Sequence, residues 1–333
     1  MSHDLQVLKQ QLPLLDYLRQ RHWTARPIGF QEFVGLCPLH PESHPSFYVN
    51  AAKDVFYCHG CGRGGDLVRF VQLHLNLTFH EAVVHLNQEL GLPEPGEDEV
   101  LRETVGFYQR QLSQHGEAVD YLHSRGLHDP GLIRQLDIGY APGGSLRHHL
   151  TSLGYSLEIL LQLGLIDRHG HDAFYRHIIF PCFDGSRLNN LYGRGIDGAA
   201  PHRFLPRRPK GGLFAWSTVG TSPDVILVEG LFDLAVLWQA GFVNTTCAFG
   251  THLTQTQFLQ LSDHPGRKVF IAFDSDPNGA GQDGALSLAQ RLNSIGLQAR
   301  IVDLPEGQDP NSYFVSGATS ADFDNRLHMA CSL

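Results

Sequence analysis

Cys37-Pro38-Leu39-His40 and Cys58-His59-Gly60-Cys61 form two ligand pairs, each separated by two residues, with seventeen residues between them. A tight turn aims both members of such a pair at one point, and three thiolates with one imidazole suit a tetrahedral zinc ion in a structural role. His44 and His59 lie close by without repeating the spacing, so they read as surface residues or as support for the ligands. Cys182, Cys247 and Cys331 are scattered and follow no disulfide framework, the pattern of a reducing compartment.

Acids of a second kind mark the last third of the chain. The run VILV (225–228) leads into Glu229-Gly230, with Asp233 one helical turn on, and VFIAF (269–273) leads into Asp274-Ser275-Asp276. ARIVDL (299–304) and a turn precede Asp309. Apolar runs of strand length alternate here with helical stretches, LFDLAVLWQAG and GALSLAQRLNSIG, which predicts a parallel α/β sheet. The carboxyl ends of parallel strands collect at one edge, where clustered carboxylates repel unless divalent cations sit among them. The alternative reading of Asp233 is a helix N-terminal charge.

A basic stretch precedes the acids. Between Leu165 and Leu213 there are eight Arg and Lys against four Asp, although the whole chain carries a net charge of −9. A global excess of acid argues against a polyanion partner, whereas a local basic stripe beside an acidic region suits an enzyme that grips phosphate with one surface and a cation with another.

These groups need scaffolds. With 333 residues, 42% hydrophobic and 18% charged, the chain has material for two or three globular units. Its first thirty residues mix charge with apolar positions at helical spacing, which excludes a signal peptide or membrane span there and points to a soluble, cytoplasmic protein. Helix is expected over 4–22, short strands and turns over 29–65, and helix again from Asp66 to Gly91. PEPGED (93–98) ends a first domain, 1–92. A largely helical stretch from Leu101 to Ile166 and a hairpin over 174–196, turning at Asp184-Gly185, make a second unit, 99–222. The α/β sheet forms a third, 223–318.

The segment CPLHPESHPSFYVNAAKDVFYCHGCGRGGDLVRFV resembles the Cys-His-Cys-Cys zinc ribbon of bacterial DnaG-type primases, including Pro-Ser-Phe after the first pair and Gly-Gly-Asp after the second. The resemblance implies a module that engages template DNA. Phe47, Tyr48, Phe56 and Tyr57 are then candidates for base stacking or for core packing, and Arg63 and Arg69 for phosphate. VEGLFD, FDSD and DPN resemble the Toprim domain shared by primases, topoisomerases and some nucleases. That likeness implies a magnesium or manganese cluster at Glu229, Asp274 and Asp276, supported by Asp233 and Asp309. Primases of this type often carry a second acid two positions after the one matching Asp309; this chain has Asn311.

FYRHIIFP (174–181), LYGR (191–194), RFL (203–205) and KGGLF (210–214) are similar to the family's nucleotide and template surface. They imply phosphate binding by Arg176, Arg194, Arg203 and Lys210, with Arg207 and Arg208 as further candidates. The resemblance extends from the first helix to about Tyr313. It implies a monomeric DNA primase with a zinc ribbon, a mixed helical and hairpin subdomain and a Toprim α/β domain, the last two forming one core. Its partners are single-stranded DNA and nucleoside triphosphates. Two other readings stay open, a Toprim nuclease and a primase-derived DNA-binding protein without synthesis. Only about twenty residues follow Tyr313. A helicase-docking domain needs on the order of a hundred, so the expectation is a mobile-element, phage or plasmid system, with any helicase or replication protein a separate partner.

Overall fold

The structure, a computed structural model, describes residues 12–89, 96–198, 202–275 and 279–332. The start of the first expected helix, the first half of the expected domain break at 93–98 and Asp276 lie outside the described residues. Two compact units emerge, one of residues 1–100 with 147–162 and one of 101–146 with 163–333. No helix among the described residues is long and apolar enough to cross a membrane.

In chain order the elements are α1 (Leu14–Gln20), β1 (Ala25–Gly29), β2 (Glu32–Gly35), β3 (Phe47–Asn50), β4 (Val55–Cys58), β5 (Gly64–Gly65), α2 (Leu67–Leu75), α3 (Phe79–Glu89) and α4 (Glu97–Leu112). Next come α5 (Gly116–Ser124), α6 (Pro130–Gln135), β6 (Gly139–Ala141), α7 (Leu146–Ser152), α8 (Leu157–Gln162), β7 (His177–Asp184), β8 (Arg187–Gly195) and β9 (Arg203–Phe204). The remainder is α9 (Trp216–Val219), β10 (Asp224–Val228), α10 (Leu231–Gln239), β11 (Thr245–Cys247), α11 (Gln255–Ser262), β12 (Lys268–Ile271), α12 (Ala280–Ser294), β13 (Gln298–Ile301), α13 (Pro310–Val315), α14 (Ser320–Met329) and β14 (Cys331–Ser332).

In the first unit β1 to β5 form an antiparallel meander. Successive side chains of a strand face opposite ways, so β3 and β4 bury Phe47, Val49, Phe56 and Cys58 and expose Tyr48 and Tyr57. Phe47 stacks on Phe56 at 5.0 Å, and Phe70 of α2 meets both rings edge-on at 5.9 and 5.6 Å. Of the four aromatics considered for base stacking, Phe47 and Phe56 are therefore core, and only the tyrosines face solvent. Asp66 of the Gly-Gly-Asp run caps α2, accepting from the Arg69 amide at 2.9 Å.

The second unit holds two sheets over one continuous core. In the antiparallel sheet β6-β7-β8-β9, the long β7–β8 hairpin turns at Gly185-Ser186, with Asp184 opposite Arg187 and Gly185 at φ 61°. β6 falls inside the stretch read as helical: three residues are too few to display alternation, and their pairing with Ile179, Ile178 and His177 is non-local.

The other sheet runs β11-β10-β12-β13-β14, parallel except for β14. Val225, Ile226, Leu227 and Val228 of β10 are all at most 1% exposed, as a parallel strand covered on both faces requires. At the other end of the sheet Arg267 is fully buried. Its guanidinium donates to the carbonyls of Gly220, Ser222, Gln260 and Leu261 and to Asp263 Oδ1, the last at 2.6 Å, and lies 4.9 Å over Trp216. Arg267→Leu strands several buried acceptors and is expected to cost about 3–5 kcal/mol. A urea midpoint equal to that of the parent chain would refute this.

Candidate metal centres and phosphate-binding surface

The first ligand pair sits on the turn after β2, and the second begins at the last residue of β4, so the meander brings the two turns together. The Sγ atoms of Cys37, Cys58 and Cys61 and a ring nitrogen of His40 lie within 4.8 Å of one another, and His40 Nδ1 is 3.9 Å from Cys58 Sγ. Tetrahedral ligands about 2.3 Å from zinc stand about 3.8 Å apart, so donor set and spacing both fit that ion. Main-chain amides of Leu39 and Cys61 donate to Cys37 Sγ and Cys58 Sγ at 3.3 and 3.4 Å, the arrangement that supports thiolate charge. Gly60 belongs to the same packing: a Cβ there meets Ser46 Oγ at 2.7 Å and His40 Nε2 at 2.8 Å.

Glu42 braces the site. It accepts from the Cys37 amide at 2.8 Å, from the Ser46 amide at 3.1 Å and from the Ser46 hydroxyl, and its Oε2 lies 3.3 Å from His40 Nε2. The Ser46 hydroxyl, with the two amides behind it, holds the Glu42 carboxyl below the usual range. A carboxylate on the far nitrogen of a ligating imidazole fixes its tautomer and orientation. Arg63 donates to the Leu39 carbonyl at 3.2 Å, clamping the first turn. His44 bonds Ser43 at the surface, and His59 stands edge-on to Tyr48 and Tyr57, 5.0 Å from each.

The acidic site follows from the strand order. From β10 the chain passes to β11 on one side, then to β12 on the other, which makes the end of β10 and β12 the switch point where open α/β sheets bind ligands. Glu229 and Asp274 emerge there, joined by the Asp274 amide donating to Glu229 Oε1 at 3.0 Å. Cys247, at the end of β11, donates its thiol to the Glu229 carbonyl at 3.1 Å, and the Gly250 amide reaches the same oxygen at 3.0 Å. The first turn of α12 closes over the pair. A Cβ on Gly281 would lie 2.1 Å from the Asp274 carbonyl oxygen and 3.1 Å from Glu229 Oε1, so only glycine permits this approach.

Asp233 and Asp309 do different work. Asp233, 5% exposed, accepts from the Gly230 amide at 3.1 Å and the Asn311 amide at 3.0 Å, tying the start of α10 to the start of α13. Asp309 caps α13 through the Ser312 amide at 2.5 Å. Burial, then the charges of Asp309 and Asp274, push the Asp233 carboxyl well above the usual range. Four of the five acids singled out from the sequence thus converge, with Glu229 and Asp274 at the switch point. Glu229 and Asp274 are the two of these not committed to capping a helix, and carboxylate oxygens are the donors a hard divalent cation takes; among the described residues the one set whose ligand atoms already gather closely enough for an ion is the Cys-His-Cys-Cys group.

The basic candidates divide. Arg194, half-buried on β8, is within hydrogen-bond reach of the Tyr121 and Tyr192 hydroxyls, and Lys210 Nζ stands 5.3 Å over the Phe204 ring. Neither is paired with a carboxylate among the described residues. Arg203 is exposed on β9 opposite Gly193. Arg176, by contrast, donates to Asp197 at 2.9 Å, and Arg208 is spent on the Asn189 carbonyl at 2.7 Å.

Comparison with known proteins matches this geometry part by part. Family models match over residues 2–101 as a CHC2 zinc finger, 107–205 as the N-terminal domain of the DNA primase catalytic core and 226–314 as Toprim-like. A crystal structure of the zinc-binding and RNA polymerase domains of Aquifex aeolicus primase is 30% identical, with a TM-score of 0.63, and the match covers 100% of this chain and 87% of that one. The chain belongs to the DnaG-type primase family. The DNA primase of A. aeolicus is 32% identical over 94% of this chain and 66% of its own length. That of Staphylococcus epidermidis is 29% identical over 85% and 53%. The chain thus spans about half to two-thirds of the length of these relatives.

Against the family pattern Asn311 is the notable departure. Its side chain is 2% exposed and donates Nδ2 to the Arg125 carbonyl at 2.6 Å, a bond an ionised Asp cannot make. Asn311 therefore braces the start of α13 against the end of α5. Arg125 is a residue that sequence reasoning missed: its guanidinium lies 5.0 Å over Phe232, and its charge opposes the upward push on Asp233. No spacing signals it, since it ends α5, more than a hundred residues before the acids.

Proposed function

We propose that this chain is a DNA-dependent primase that joins ribonucleotides into short primers on single-stranded DNA. The observation that carries the reading is the meeting of Glu229 and Asp274 at the switch point of a sheet, in the same compact unit as Arg194 and Lys210, two cations with no acidic partner among the described residues. Glu229, Asp274 and Asp276 would hold magnesium or manganese, which when bound supplies charge neutralisation and polarisation of a phosphate. Arg194, Lys210 and Arg203 would grip triphosphate and template phosphates. The 3′ hydroxyl of one nucleotide then attacks the α-phosphate of the next, the bond to pyrophosphate breaks, and the hydroxyl proton passes to Glu229 or to solvent. Cys37, His40, Cys58 and Cys61 would hold a structural zinc, giving the first unit its shape as a template-engaging module.

The test is incubation with single-stranded DNA, labelled ribonucleotides and magnesium or manganese, resolved on a gel. Template-dependent labelled oligomers are the expected product. Shortened DNA with no new oligomers would make the chain a nuclease, and retarded but unaltered DNA a plain binder.

A further inference from the structure

His202 has no place in the proposed chemistry, yet it stands among the cations assigned to it. Its exposed ring stacks on Tyr192 of β8, with centroids 5.9 Å apart and planes 22° from parallel. The charge of Arg194 acts on Tyr192, whose ring meets Phe204 at 5.3 Å, beneath Lys210. Two cationic side chains and an imidazole, from β8 and the segments flanking β9, thus gather at one aromatic bed. Among the described residues none of the three is paired with a carboxylate. Cations gathered without a counter-charge repel one another, and an arriving anion relieves the repulsion.

We propose that His202 is the third member of a phosphate site with Arg194 and Lys210, neutral while the site is empty and protonated when phosphate enters. The inference rests on the reading of Arg194 and Lys210 as phosphate-binding residues and adds a proton to it. Partial desolvation against Tyr192, then the charges of Arg194 and Lys210, hold the empty-site imidazole below its ordinary value although the ring keeps an open face. Tyr192 and Arg194 face it from β8 and Lys210 from beyond β9, and no acid is among the groups that act on it. A bound phosphate favours the charged ring and raises its pKa. Affinity is then greatest below the empty-site value and is lost as pH rises from there through the occupied-site value, a window that opens below the ordinary histidine value. The same chemistry serves a nucleoside triphosphate and a strand backbone.

The experiment uses the full chain and measures binding from about pH 6 to about pH 8.5. One arm uses an oligothymidylate, whose phosphodiesters do not titrate there, and the other a non-hydrolysable nucleoside triphosphate with magnesium. Each is run on the parent, His202→Asn, His202→Lys and Arg194→Ala. In whichever arm occupies the site, parent affinity should fall about tenfold more across the range than that of His202→Asn, one pKa unit of linkage. His202→Lys should keep the low-pH affinity throughout. Calorimetry in two buffers of different ionisation enthalpy should detect proton uptake by the parent that His202→Asn lacks. A linked effect in one arm alone identifies which phosphate is held. Equal pH slopes and equal proton uptake in parent and His202→Asn, in both arms, would overturn the proposal. If Arg194→Ala still weakens binding, only the role of His202 falls; if it too is silent, the basic-surface reading falls with it.

Discussion

Asp274→Asn is expected to lower primer synthesis by about 10³-fold or more, since losing a cation ligand removes several kcal/mol of stabilisation from the transferring phosphate. Single-stranded DNA binding should stay within about twofold, because the cations assigned to phosphate lie elsewhere in the unit. The substitution keeps the shape of the side chain, and the residue 274 amide can still donate to Glu229 Oε1, so the site need not rearrange. Charge adds a second expectation of opposite sign. Asp274 is one of the groups that push the Asp233 carboxyl upward, so removing it relieves repulsion in the apo protein. With metal chelated, Asp274→Asn should melt at or above the temperature of the parent chain. An inactive variant that also melts far lower would mean that Asp274 holds the fold and that its catalytic assignment rests on nothing. A fully active variant would remove it from the site.

The two metal centres differ in how far they could be read from sequence, and the reason is locality. Each zinc pair spans four residues on one turn, so spacing alone specifies the geometry. The acids were legible as strand ends, but which of them face a ligand was not. Asp233 and Asp309 bond main-chain amides of α10 and α13, and that depends on where those helices start in space. Parity explains the aromatics of β3 and β4: Phe47 and Tyr48 are equivalent in composition, and only the register against β2 and β4 assigns one to the core and one to solvent. The basic residues show the limit most clearly. Arg176 and Arg194 look alike in their motifs, yet Asp197 pairs with the first, while the second is half-buried near Tyr121 and Tyr192 with no carboxylate partner among the described residues. His202 has meaning only once β8 and β9 are paired and Tyr192 and Lys210 come to flank it.

The largest effect on the first unit should come from the zinc site. The parent chain is expected to carry about one zinc per chain, and Cys61→Ser to carry little or none, with the first unit losing its cooperative unfolding transition. A structural zinc contributes about 10–16 kcal/mol to folding in small modules, more than a sheet of five short strands can replace through its core. Cys61 is the better position to change than Cys58: Cys58 is fully buried in the aromatic core, so its loss mixes packing with metal binding, whereas Cys61 is partly exposed. A graded comparison comes from Glu42→Gln, which leaves all four ligands in place but weakens the acceptor on His40 Nε2. Zinc affinity should fall about 10- to 100-fold there, measured by competition with a chromophoric chelator, while the unit still folds at saturating zinc. Template-dependent synthesis should follow zinc occupancy in both variants, because the module proposed to engage template keeps its shape only when the two turns are tied together. If Cys61→Ser retained a full equivalent of zinc by elemental analysis, Cys61 would not be a ligand. If it lost the metal and kept both its unfolding transition and its priming rate, the ion would contribute nothing to the fold or to template engagement.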